Sequence, residues 1–185
     1  MDKNKALLLV RQYVKNENSI KHMIAVGAVM RALAEKFGEN KDLWELAGIL
    51  HDIDMEIVDY RNNPGYHGKK GAEILKENGA KEEIIAAALA HNKDTGKERH
   101  TLLEKSIYAT DPLTGLIVAS VLVLPEKKIA DLTSKSVLKR YKEKAFAKGA
   151  DRDIIATCNE IGLDLEEFIN IGLTSMQEIS DEIDL

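Results

Sequence analysis

Histidine and aspartate stand side by side at His51-Asp52, in the run "GILHDIDMEIV" (48–58). Neither belongs after an apolar stretch without a partner, because a buried polar or charged group is costly unless it is paired or bound to metal. Three more of the five histidines are placed in a comparable way. His22 opens the stripe His22, Val26, Val29, Leu33, Phe37, whose spacing of three and four puts it on one apolar helix face. His67 starts a helix in "YHGKKGA". His91 shares a face with Ile84 and Ala88 near the end of an alanine-rich helix. Each has a plain alternative: a satisfied core histidine for His22, a solvated pair for His51-Asp52, a cap for His67, and an imidazolium favoured by a helix C-terminus for His91. Taken together they suit a metal site. Neutral imidazole and carboxylate are ligands for Fe, Mn, Co, Ni or Zn, and spacing does not choose among these.

A further carboxylate, Asp111 in "SIYATDPLTGLIVA", falls on the stripe Ile107, Tyr108, Asp111, Gly115, Val118. Followed by Pro112 it is also a helix N-cap with proline at the first helical position. The residues leave cap and ligand both open. Asp54 and Glu56 follow the His-Asp pair and are the candidates to supply or relay a proton, against ordinary surface carboxylates. Lys69 and Lys70, at the helix start after His67, and Lys93 and Lys97, beyond His91, are candidates to hold phosphate, where backbone N–H groups also favour anions; the alternative is solvated lysine. His100 precedes a helix cap and is expected to be exposed. Cys158, among Ile154, Ile155 and Ile161, is expected to be core.

The elements that must position these groups are helical nearly throughout, with no convincing strand alternation. The expected helices are 4–14; 19–37, capped by Asn18 or Ser19 and stopped at Gly38; 41 to about 53; 68–78; 81–91; one opened by the capping box Thr101–Glu104 and running to about 123 before Pro125; short pieces over 126–148; 151–161; and 164–183. "YRNNPGYHG" is a loop. Ala47 and Gly48, one turn below His51, let another helix approach closely. The fold class is all-α, a compact multi-helix bundle, read as one domain over 1–185 with the metal-binding core at about 20–120 and helices 123–185 packed on it.

The bulk numbers set limits. A chain of 185 residues with 44% hydrophobic and 31% charged side chains reads as globular. Its net charge of −5 should repel a nucleic acid duplex overall. Residues 123–148 run against it, with eight Lys/Arg against three acidic residues. That segment either rings the pocket mouth or is the wet face of two short helices. The single cysteine allows no internal disulfide, no segment approaches ~18 uninterrupted apolar residues, and the polar N-terminus does not resemble a leader. A cytoplasmic protein without membrane contact is expected. A homo-oligomer is compatible with the sequence.

The order His22, His51-Asp52, Asp111 resembles the signature of the HD superfamily of metal-dependent phosphohydrolases. His67 in an "HGxxGA" context and His91 at a helix end resemble the subset that binds two metals, in an ordering similar to a bacterial subgroup hydrolysing diadenosine tetraphosphate. The similarity is clearest over 20–120. It implies a buried centre in which His22, His51, Asp52 and Asp111 hold a first divalent transition metal, Asp52 bridges, and His67 and His91 complete a second site. It implies a small phosphorylated substrate, such as a nucleotide. The family's GYP-type motif is absent, which argues against cyclic dinucleotides. Two alternatives remain: a mixed-valent diiron oxygenase, as among some dimetal relatives, and a non-catalytic regulatory module with a structural metal.

Overall fold

The structure is a computed structural model describing residues 1–185. It contains helices and turns and no strand. Ten α-helices follow in order: α1 Lys3–Tyr13, α2 Glu17–Phe37, α3 Lys41–Leu50, α4 Lys69–Glu77, α5 Glu82–Ala90, α6 Leu102–Leu122, α7 Ser134–Lys142, α8 Arg152–Ala156, α9 Leu165–Glu178 and α10 Ser180–Ile183. The all-α expectation holds. A core of 44 buried residues runs continuously from Ala6 on α1 to Ile183 on α10. No helix is long and apolar enough to cross a membrane.

The two 21-residue helices, α2 and α6, form the centre. α2 packs against α3, α6 and α9, and α6 also against α5, α7 and α8. Its stripe Val26, Val29, Met30, Leu33 is fully buried. The α2–α3 contact is the tightest. A Cβ on Gly48 would lie 2.6 Å from the Cα and N of Gly27, so the two backbones touch. The small residues before His51 thus do what their size suggested, and Gly27 is the partner position.

Local chemistry corrects several boundaries. α2 is capped by Asn16, whose side chain accepts from the N–H groups of Asn18 and Ser19, rather than by Asn18 or Ser19 themselves. Gly38 ends it in the left-handed conformation (φ 71°), as expected. α3 stops at Leu50, and residues 51–57 continue as turns. Pro112 lies inside an unbroken α6, so Asp111 is not an N-cap. A mid-helix proline loses one backbone bond. Burial of Leu113, Leu116, Ile117 and Val121 just beyond it carries the helix through. The capping box at Thr101–Glu104 is present. Its Glu104 carboxylate is buried, and although burial raises its pKa, Lys97 and the N–H groups of Thr101 and His100 hold it down to about 2. The 151–161 helix is α8 followed by a 3₁₀ segment, and the last helix breaks at Ile179.

One side chain organises the stretch after α7. The Arg152 guanidinium donates to the carbonyls of Tyr141 (3.3 Å), Ala147 (2.7 Å), Ala150 (2.5 Å), Arg140 (3.3 Å) and Phe146 (2.6 Å). Ala147 takes a left-handed φ of 44° within this turn. In the basic segment, the lysines at 127, 128, 135, 139, 142, 144 and 148 are all exposed.

Candidate metal centre

Five elements deliver side chains to one point. His22 comes from the first turns of α2, His51 and Asp52 from the end of α3, His67 from the 3₁₀ turn before α4, His91 from the end of α5, and Asp111 from mid-α6. Asp52 is the hub. Its Oδ1 lies 3.2 Å from Nε2 of His67, 3.2 Å from Nε2 of His91 and 3.5 Å from Nε2 of His51. Its Oδ2 lies 3.9 Å from Nε2 of His22. Asp111 Oδ1 lies 3.0 Å from Nε2 of His22 and 3.9 Å from Nε2 of His51. Two groups of potential ligand atoms result, His22/His51/Asp52 and Asp52/His67/His91, sharing Asp52.

All four rings are oriented by their outer nitrogens. His51 Nδ1 donates to the Gly48 carbonyl and His91 Nδ1 to the Ala88 carbonyl, each at 2.7 Å. His67 Nδ1 donates to Asp54 Oδ1 at 2.8 Å. His22 Nδ1 meets Thr114 Oγ1 at 3.1 Å, and that hydroxyl donates to the Asp111 carbonyl, so it accepts from the imidazole. Each Nε2 is left facing the carboxylates. The Nε2 of His51 is fully buried and has no hydrogen-bond partner. A buried nitrogen without a hydrogen bond is costly, and coordination to a metal would satisfy it. The 3.0 Å between Nε2 of His67 and Nε2 of His91 is close to the edge of a coordination polyhedron with ligands at about 2.0–2.1 Å. The donor set fits one or two divalent transition metals, and Asp52 is the residue common to both groups. Imidazole Nδ1–H bonded outward to a carbonyl or carboxylate is how metal-ligating histidines are held.

The electrostatics follow from the same distances. Burial works against the charged form of His51, but Asp52 and Asp111 outweigh it and raise its pKa to about 9. Burial likewise opposes charge on His67, and Asp52 and Asp54 raise it to about 10. Burial pushes Asp52 and Asp111 up, and the imidazoles hold both well below the ordinary aspartate value. In chelated protein the histidine contribution to stability is complete below about pH 6.5 and is lost as pH rises through about 9–10. The aspartate contribution is present above about pH 4 and is lost as pH falls below it. Chelated protein is therefore expected to show its highest melting temperature between about pH 4 and 6.5 and a decline toward pH 10. Metal replaces those protons, so loaded protein should lack the alkaline decline. Calorimetric scans of both forms across this range check the expectation.

Asp54 has a defined place. It is fully buried. Beside its bond to His67, its Oδ2 accepts from the N–H groups of Gly68 (2.8 Å) and Gly71 (2.7 Å). With these three donors the carboxylate is positioned to orient His67. Asp54→Asn must turn an NH₂ group toward a donor. It is expected to weaken the second metal by roughly 10–100-fold and to destabilise the fold by about 1–3 kcal/mol, leaving the first metal bound. Stepwise metal titration with melting curves tests this.

Other candidates stand apart. The exposed Glu56 points to the α1–α2 junction, where it accepts from the N–H groups of Lys15 and Asn16, both at 2.9 Å. Lys97 is committed to buried Glu104 at 2.8 Å. Lys70 pairs with Glu73 at 2.8 Å, and Lys93 lies 3.7 Å from Asp151. Lys69 is exposed and has no ion pair. His100 is exposed and Cys158 buried, as expected. Sequence reasoning missed Thr114, which carries no signal beyond its place three residues after Asp111. It also missed the role of Gly68 and Gly71, although two glycines beside a histidine are a usable sign of close backbone approach. A groove of about 270 Å³ opens beside the centre, lined by His22, Asp111, Pro112, Gly115, Ala147, Gly149 and Ala150. The groove thus reaches the His22/Asp111 edge of the centre.

Comparison with known proteins agrees with this geometry. Residues 19–121 match the model of the HD domain. Ribonuclease Y of Sulfurovum sp. is 25% identical over 171 residues, covering 90% of this chain and 33% of that protein. Ribonuclease Y of Lawsonia intracellularis is 30% identical over 141 residues, and that of Fervidobacterium nodosum 32% over 142; each alignment covers 75% of this chain and 26% of the relative. The chain thus spans a quarter to a third of the length of these relatives. No solved structure matches it.

Proposed function

The chain belongs to the HD domain family, and from that premise we propose that it is a metal-dependent phosphohydrolase acting on a small phosphate ester or anhydride, with a nucleotide as the favoured class. The observation that carries this reading is the convergence of four outward-tethered imidazoles on Asp52, one of them with an orphaned buried Nε2. In this reading His22, His51, Asp52 and Asp111 hold a first divalent metal, and Asp52, His67 and His91 a second. Such a pair supplies a nucleophile near neutral pH and neutralises charge on the phosphate oxygens. The protein's own part is geometric. Asp54 and Thr114 lock the rings of His67 and His22, Gly48 and Ala88 lock the other two, and the groove past Gly115 and Ala147 admits the substrate. Lys69, the one free candidate lysine, faces solvent at the start of α4 and is placed in sequence to meet a phosphate oxygen.

A second reading is favoured by the relatives, which carry the name Ribonuclease Y. In it the scissile group is an RNA phosphodiester, and the eight Lys/Arg of 123–148 supply the local positive field that a chain of net charge −5 otherwise lacks. Both readings share the same centre. A screen of phosphorylated metabolites and short oligoribonucleotides, with Mn, Co, Ni or Mg added to chelated protein, separates them. Anaerobic activity is expected throughout. Substrate consumption that stops without oxygen would assign the centre to oxygenase chemistry and overturn both.

A further inference from the structure

The chain has one Trp, five Tyr and three Phe, and only Tyr60 and Tyr66 among them are exposed, at 49% and 40%. Both lie in the segment between Asp54 and His67. Ile57, 48% exposed, lies there too, so three of the chain's seven exposed large hydrophobic residues fall within 57–66. Apolar area gathered at the rim of a polar centre marks a ligand surface. The Tyr60 ring sits 6.4 Å from the ring of His67, inclined at 54° to it. The Arg61 guanidinium lies 6.0 Å from the Tyr60 ring centroid.

The segment is closed by an internal turn and anchored near its C-terminal end. Asp59 accepts from the side chain of Asn62 at 2.7 Å, and the Asn63 N–H bonds the Asp59 carbonyl. Asn92 donates to the carbonyls of Pro64 (2.8 Å) and His67 (2.9 Å), tying the turn to the residue after His91. Gly65 lets it close, since a Cβ there would sit 2.6 Å from the Asp94 carbonyl oxygen. An exposed flat ring beside the candidate metal centre, with a guanidinium next to it, suits an aromatic base carried on a phosphorylated sugar.

We propose that Tyr60, flanked by Arg61, is the stacking platform for a nucleobase whose phosphate lies at the His67/His91 half of the metal centre. This rests on the phosphohydrolase reading and specifies its substrate as base-bearing. The same base can belong to a free nucleotide or to the end of an RNA strand.

The test uses the full Mn²⁺-loaded chain and three probes: AMP, ribose 5-phosphate and a 5′-phosphorylated triadenylate. Affinity is read by calorimetry, or as KM where a probe turns over, with phosphate release followed in parallel. The parent should prefer AMP over ribose 5-phosphate by roughly tenfold or more, the size of one base–aromatic stack. Tyr60→Ala should remove that preference and Tyr60→Phe should keep it. Affinity for the triadenylate should fall in Tyr60→Ala as well, and a triadenylate that binds tighter than AMP assigns the base to a strand. A parent without preference for the base, or a preference that survives in Tyr60→Ala, overturns the platform. Failure of every probe to be hydrolysed by the loaded parent counts against the phosphohydrolase reading instead, and the binding preference is still read.

Discussion

Asp52→Ala is expected to empty both halves of the centre and to reduce hydrolysis to the level of chelated parent. Asp52 is the one residue within reach of all four imidazoles, with Oδ1 facing His51, His67 and His91 and Oδ2 facing His22. Loss of an outer partner of a ligand costs roughly 10–100-fold in metal affinity, and loss of a shared ligand should exceed that at each site. Removal of His91 alone should spare the first site. Metal content after dialysis, measured beside His91→Ala, distinguishes hub from spoke. The chelated variant carries a second signature. With Asp52 gone, His51 and His67 lose the carboxylate that keeps them charged. Breaking a buried pair costs about 3–5 kcal/mol when the survivor stays charged, but an imidazole can shed its proton. The destabilisation should therefore be larger at pH 5 than at pH 8. Retention of either metal in Asp52→Ala would falsify the bridging assignment.

The second large effect is structural. Gly48→Ala places a methyl group 2.6 Å from the backbone of Gly27, where no rotamer change can relieve it. Overpacking costs about 1–3 kcal/mol, and occasionally more; a backbone-on-backbone clash belongs at or above the top of that range. At about 2–4 °C per kcal/mol for a chain of this size, the melting temperature should fall by roughly 10 °C. The same step moves α2 from α3, and these helices carry His22 and His51, so the first metal should weaken with it. Gly115→Ala is the control. Its Cβ meets nothing within 4 Å, and an alanine in a helix interior should stabilise by about 0.5–1 kcal/mol. Thermal melts of the two variants should move in opposite directions.

The legible part of this molecule was its periodicity and its local chemistry. Helix faces placed His22 and His91 inward, the capping box opened α6, and the small residues before His51 announced a close helix contact. The His/Asp ordering over about 20–120 indicated the family, and the match at 19–121 bears that out. The rest depended on long-range partners that no local window contains. Whether Asp111 capped a helix or faced the centre was decided by the burial of residues beyond Pro112. The partners of Asp54, the N–H groups of Gly68 and Gly71, lie 14 and 17 residues along the chain. Lys97 and Glu56 looked available until Glu104 and the α1–α2 junction claimed them. Tyr60 and Tyr66 gave no periodic signal, because a loop has no face.

Arg152 gathers five carbonyls of residues 140–150 onto one guanidinium, and Ala147 and Ala150 among them line the groove beside His22 and Asp111. The shape of that wall therefore depends on the seating of one planar ion. The width of the groove beside His22 and Asp111 is thereby tied to α8, a helix whose own side chains lie outside the His/Asp centre.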